Sequence, residues 1–201
     1  MTKRILLAGL LGGIAMFTWT SVAHMLLPLG DAGVKQLPND QAVLSAMHAS
    51  IGDAHGFYFF PATGLGPDAT MQQKRAAMDQ YGQKLAANPS GILIYHPPGA
   101  KTISAGQLGT EFFTELIESL LVVILLAQTG LTRFASRLGF VIGAGVLASI
   151  ATNVSYWNWY GFPAMYTAAY MTTSVVGFLC IGLVAAAIMQ ARTEERIAVA
   201  A

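Results

Sequence analysis

The sequence predicts an all-α membrane protein: a four-transmembrane-helix bundle with a small extracytoplasmic α/β cap inserted between helices 1 and 2. Three observations carry that expectation. Hydrophobic residues make up 54% of the 201-residue chain and charged residues only 10%, against roughly 25% charged in an ordinary soluble domain. Four apolar runs reach spanning length, at 5–27, 108–128, 138–156 and 164–189. Between the first two, the composition turns polar over 30–105, a stretch too long for a turn. The expected organisation is therefore 1–29 as the first transmembrane helix, 30–105 as the cap, and 106–201 as transmembrane helices 2 to 4 with a short tail.

The first run follows Lys3 and Arg4, and Ser21-Val22-Ala23 passes for a weak cleavage context. Its apolar core is longer than the roughly 7 to 15 residues of a secretory h-region, so it reads as an uncleaved signal anchor. Lys3 and Arg4 precede helix 1, Arg133 and Arg137 lie between helices 2 and 3, and Arg192 and Arg196 follow helix 4. The connection between helices 3 and 4 carries no Lys or Arg. The positive-inside rule then places both termini in the cytoplasm of a cell with an inner membrane, and 30–105 outside it. Tyr156, Trp157, Trp159 and Tyr160 gather at the outer end of helix 3, where amphipathic rings favour the headgroup zone.

Within the cap, Pro38-Asn39-Asp40 opens a helix whose apolar positions Val43, Leu44, Met47 and Ile51 share a face. Gly56 is expected to end it before the apolar run 57–60. Asp68 is the expected cap of a second helix reaching about Ala87, closed by Asn88-Pro89-Ser90-Gly91, after which 92–95 reads as a strand. Ser104-Ala105-Gly106-Gln107 is a capping-box pattern at the start of helix 2. Gly9-x-x-x-Gly13 and Gly139-x-x-x-Gly143 permit close helix contact, within the bundle or between chains.

Helix 2 carries the strongest functional signal. Glu111, Glu115 and Glu118 fall at i, i+4 and i+7 inside an apolar stretch, which puts them on one helical face. An ionised side chain near mid-bilayer costs about 2.5 to 3.5 kcal/mol on insertion scales, so such a stripe should face protein, water or a bound ion. The outer halves of the other helices offer polar company: Thr20 and His24 on helix 1, Ser149, Thr152, Asn153 and Tyr156 on helix 3, Tyr166, Tyr170 and Thr173 on helix 4. Farther in, Val122, Leu125 and Leu126 continue helix 2 without a polar group. The expected picture is a polar cavity open outward and closed inward. A cation, proton or polar-ligand site would draw on Glu111, Glu115, Glu118, His24, Asn153, Tyr156 and Tyr170. The bland alternative is that the acids are neutral and hydrogen-bond to hydroxyl and amide side chains as bundle glue.

Residue counting sets several chemistries aside. A di-iron carboxylate bundle needs Glu-x-x-His, and neither Glu115 nor Glu118 has a histidine at that position. Bis-histidine haem ligation needs two intramembrane histidines, whereas His24 alone qualifies, so haem would have to sit between chains. H-E-x-x-H and G-x-S-x-G are absent, and the single cysteine, Cys180, forms no pair. His48, His55 and His96 with Asp53 could converge as metal ligands, although scattered surface histidines are the simpler account. No cofactor or metal is named by these residues, and no catalytic set emerges. A net charge of +1 with dispersed basic residues excludes a nucleic-acid footprint. The expected partners are the lipid bilayer and either another membrane protein or a second copy of the chain. A non-catalytic accessory or assembly subunit is the leading functional class; a cation- or proton-coupled carrier and a membrane enzyme acting on a lipid or quinone stand as alternatives.

Overall fold

Eight elements follow in order: α1 (Thr2–Met25), α2 (Asp40–Ile51), β1 (Gly56–Phe60), α3 (Met71–Ala87), β2 (Gly91–Tyr95), α4 (Ala105–Gln128), α5 (Phe134–Tyr160) and α6 (Ala164–Ala200). This computed structural model describes residues 2–200, with side chains described for 3–189; Arg192 and Arg196 lie outside the described side chains. The chain divides into a helical unit, Met1–Val34 with Ile103–Ala201, and an inserted unit, Lys35–Thr102.

In the helical unit α1 lies between α4 and α6, and α6 lies between α1 and α5, while α4 touches α5 and α6 only lightly. Glycine explains why α1 takes two neighbours at close range. A Cβ on Gly9 would sit 2.5 Å from Leu120 Cδ2, and one on Gly13 would sit 2.9 Å from the Leu116 Cα itself. Phe17 continues the same antiparallel ladder by meeting Phe112 edge to face, with ring centroids 5.2 Å apart. Toward α6, Gly12 faces Ile181, and Gly177 returns the contact beneath Met16. The α5–α6 seam uses the same device, with Gly145 under Phe178 and Gly182 against Leu138 and Val141. Small residues let apolar helices approach where no hydrophobic driving force separates helix from lipid. Of the two expected glycine pairs only the first is used in this way: Gly139 and Gly143 face open space.

Around these seams Ala8, Met16, Val122, Val123, Leu126, Val141, Phe178, Ile181 and Ala185 form one buried apolar cluster. The outer surfaces are also apolar. Leu6, Leu7, Leu10, Leu11 and Ile14 on α1, and Phe113, Ile117, Leu121 and Ile124 on α4, are exposed. Three helices are long and apolar enough to cross a membrane, at Lys3–Met25, Phe134–Tyr160 and Ala164–Met189, the signature of a membrane protein. With 24 residues α4 matches them in length, but Glu111, Glu115 and Glu118 interrupt its apolarity, and it is not among the three.

The helix ends are specified locally. Ser104 and Gln107 form the expected reciprocal capping box at the start of α4, at 3.1 Å and 2.9 Å. At the α4–α5 turn Thr129 Oγ1 donates to Leu126 O at 2.7 Å, and Arg137, buried in the first turn of α5, donates from Nε to Leu131 O at 3.0 Å. Gly161, with φ 70°, terminates α5.

The inserted unit pairs β1 with β2 in an antiparallel two-stranded sheet, Gly56 opposite Tyr95 and Phe60 opposite Gly91. Two boundaries differ from the sequence expectation. The first cap helix stops at Gly52, whose φ of 69° suits glycine alone, so Gly56 opens the strand instead of closing the helix. The cap of α3 is Thr70 and not Asp68, because Thr70 accepts from the Gln73 N–H while Gln73 Oε1 accepts from the Thr70 N–H. Tyr95 is the buried residue of the sheet and ties it to the end of α2 by donating its hydroxyl to Gly52 O at 2.9 Å.

The glycine seams generate a paired prediction. Gly13→Ala should destabilise the helical unit by about 1–3 kcal/mol, since backbone cannot yield to the new Cβ, whereas Gly143→Ala should leave thermal melting in detergent unchanged. Equal melting of the two variants would refute the α1–α4 seam.

Candidate functional site

The register of α1 against α4 turns one edge of the glutamate stripe into the bundle. The buried line along α4 is Glu115, Ser119, Val122, Val123 and Leu126, and it faces α1 and α6 because Ser119 sits over Gly12. A Cβ there would stand 2.6 Å from Ser119 Oγ. Glu115 lies one turn nearer the start of the helix and is 3% exposed. Helical side chains lean toward the N-terminus, which in α4 carries this carboxyl group toward Thr20 of α1. Among the described side chains Glu115 Oε2 and Ser119 Oγ are buried without a hydrogen-bond partner.

The other two glutamates differ. Glu118 is half-buried and Glu111 is exposed. Spacing of i, i+4 and i+7 shares a face, but that face is wide, and only its middle member enters the core.

His24 stands near the end of α1, exposed, with Nδ1 2.9 Å from Thr20 O. A carbonyl can only accept, so Nδ1 carries the hydrogen and Nε2 is the acceptor nitrogen. The His24 ring meets Tyr170 edge to face at 5.7 Å, and Tyr170 lies 4.5 Å from Tyr166, centroid to centroid. Phe162 and Tyr156 extend the series at 5.4 Å and 5.5 Å. Tyr156, Tyr170 and His24 thus join one aromatic series running from α5 through α6 to α1. Asn153 joins neither this series nor the carboxyl group, since its Nδ2 donates back to Ser149 O at 3.0 Å.

Two contributors were not named from the sequence. Ser119 is one, a small polar residue in an apolar run whose burial depends on the glycine opposite. Trp19 is the other: its Nε1–H donates to Thr173 O at 2.9 Å and pins α1 to α6. An i, i+4 extension from Glu115 would have picked out Ser119; nothing local marks Trp19 as a bridging residue.

In the inserted unit His55 and His96 lie 6.0 Å apart, ring to ring. No group of three or more His, Cys, Asp or Glu among the described residues could hold a metal ion. The sheet has a more distinctive property. Strand alternation places Phe57, Phe59, Ile92 and Ile94 on one face, and Phe57, Phe59 and Ile94 are 56%, 52% and 63% exposed. That face contains no polar side chain.

No family model, curated protein or solved structure matches the chain. The functional reading therefore rests on the residues.

The Trp19 bridge predicts that Trp19→Phe, which keeps the ring and removes the donor, lowers stability by about 1 kcal/mol. Thermal melting should fall for this variant and stay level for His24→Ala at the exposed end of the helix. An unchanged midpoint for Trp19→Phe would show that the bridge contributes nothing.

Proposed function

We propose that this protein is a non-catalytic subunit of a membrane complex, anchored by four spans and presenting its inserted unit to a partner protein outside the cytoplasm. The observation that carries the reading is the apolar strand face of Phe57, Phe59, Ile92 and Ile94. Apolar surface on the long helices has an occupant in lipid; an apolar face in a polar insert calls for a different one.

The choice of a protein partner follows from the backbone. A sheet of only two strands leaves one edge of each unpaired among the described strands, and a neighbouring chain can satisfy such edges by adding a strand. Apolar side chains on the same hairpin would then bury against that partner. Lipid tails would cover the side chains but could not hydrogen-bond the edge.

In this proposal α4 is the fourth span despite its glutamates, since its core-facing side is buried against α1 and its outer side is apolar. Both termini are cytoplasmic and 30–105 lies outside the inner membrane, as the Lys and Arg distribution requires.

Two measurements test the reading. In native membranes solubilised mildly, the chain should run as a complex heavier than itself, and Phe57→Ser with Ile94→Ser should release it at unchanged helix content; retention of the heavy complex would refute docking by this face. In a Cys180→Ser background, cysteine introduced at Gln73 should react with an impermeant maleimide in intact cells, and cysteine at Thr193 should not. The opposite pattern would invert the topology and remove the proposed partner from that side.

A further inference from the structure

The buried end of the glutamate stripe holds a carboxyl group with nothing among the described residues beside it to balance a charge. Glu115 is 3% exposed, and its Oε2 has no hydrogen-bond partner among those residues. A carboxylate so placed would leave a charged acceptor desolvated in an apolar core, a cost that a proton on the group removes.

We propose that Glu115 is a proton-binding site within the helical unit, a neutral acid reached from the Glu111 end of α4. The reaction is the addition of one proton to the carboxylate, with no other bond made or broken. Ser119 supports this as a second, separate observation: it is 0% exposed, its Oγ has no partner, and it lies one turn from Glu115 on the same face. Two orphaned oxygens one helical turn apart in an apolar core mark a place where a proton, or the water that delivers it, can be held.

The charged and titratable groups on the packed helices leave a proton as the neutralising species. On α4 itself Glu111 and Glu118 are of like charge. On α1, His24 lies a turn beyond Thr20 and spends its Nδ1–H on the Thr20 carbonyl; Lys3 and Arg4 lie on the far side of Gly9, which already faces Leu120. Among the described side chains of α6 the groups are Tyr166 and Tyr170 toward one end and Cys180 toward the other. On α5 they are Tyr156 and Tyr160 at one end and Arg137 at the other, the last bonded at the α4–α5 turn. A metal cation would need about six oxygen ligands, and the side chains here supply the Glu115 carboxyl group with Ser119 and Thr20.

Access is one-sided. Glu111 is exposed one turn above Glu115, while beyond Ser119 the buried line continues as Val122, Val123 and Leu126, all apolar. A proton can enter from the Glu111 end and has no polar route onward, so the site loads from one side and does not conduct through the bundle.

The test uses the full chain in lipid nanodiscs at neutral pH. Its infrared spectrum should contain a protonated-carboxyl stretching band that loses one carboxyl equivalent in Glu115→Gln and none in Glu111→Gln. Absence of the band from the parent protein, or its full retention in a folded Glu115→Gln variant, would overturn the proposal. So would its loss when sodium chloride replaces choline chloride, which would give the site to a metal ion. Should Glu115→Gln fail to fold, the parent protein decides the matter: dicyclohexylcarbodiimide adds to protonated carboxyls in apolar surroundings, and peptide mass spectrometry should place the adduct on Glu115. Adducts confined to Glu111 or Glu118, or none at all, would overturn it.

Discussion

The helical unit depends on the missing side chains of α1. Gly9, Gly12 and Gly13 let α4 approach at distances no Cβ would tolerate, and Gly12 also leaves α6 close room against the same helix. That approach sets the register of α4, and the register sets which side of α4 is buried. Substituting alanine at Gly12 would collide with Ser119 Oγ, so the space that admits a polar residue to the core is the space the glycine vacates. The polar site and the closest helix packing are consequences of a single constraint.

The order α4–α1–α6–α5 also explains how polar groups are shared out. Because α1 is central, its polar residues can reach α4 on one side and α6 on the other: Thr20 to Glu115, Trp19 to Thr173, His24 to Tyr170. Helix α5, at the end of the row, packs mainly on α6. Ser149 accordingly approaches Met171 O, Tyr156 stacks on Phe162, and Asn153 turns back on its own helix. A single outward cavity joining all four helices would need α4 and α5 closely packed, and they touch lightly.

Much of this was legible in the residues. Spans written as uninterrupted apolar runs, the Ser104–Gln107 capping box and the second strand of the insert are local patterns, and each appears close to the limits its pattern sets. Non-local properties were not legible. Gly9 and Gly139 begin identical four-residue spacings, yet one lies against Leu120 and the other against nothing; the motif states that a helix can be approached and not that it is. The three glutamates likewise share a periodicity but not an environment, because periodicity fixes an angular sector and the neighbour fixes which edge of it is covered. In the insert, Asp68 and Thr70 are both good capping residues, and the choice fell to Thr70 because Gln73 stands three residues after it and completes the reciprocal pair.

The acidic content of α4 then acquires a physical account. A helix with three acids is a poor membrane span when each is counted as charged, and that count assumes water-like ionisation at every position. Glu111 lies at the exposed end, about two turns from the Ser104 cap, where solvent can carry its charge. Glu115 is buried with an apolar core behind it, surroundings that suit a neutral acid. The cost of carrying these residues into a bilayer therefore falls unevenly, least at the interface and least again where a proton cancels the charge. Glu118, half-buried beside an apolar outer face, is left as the residue whose charge the bundle compensates least.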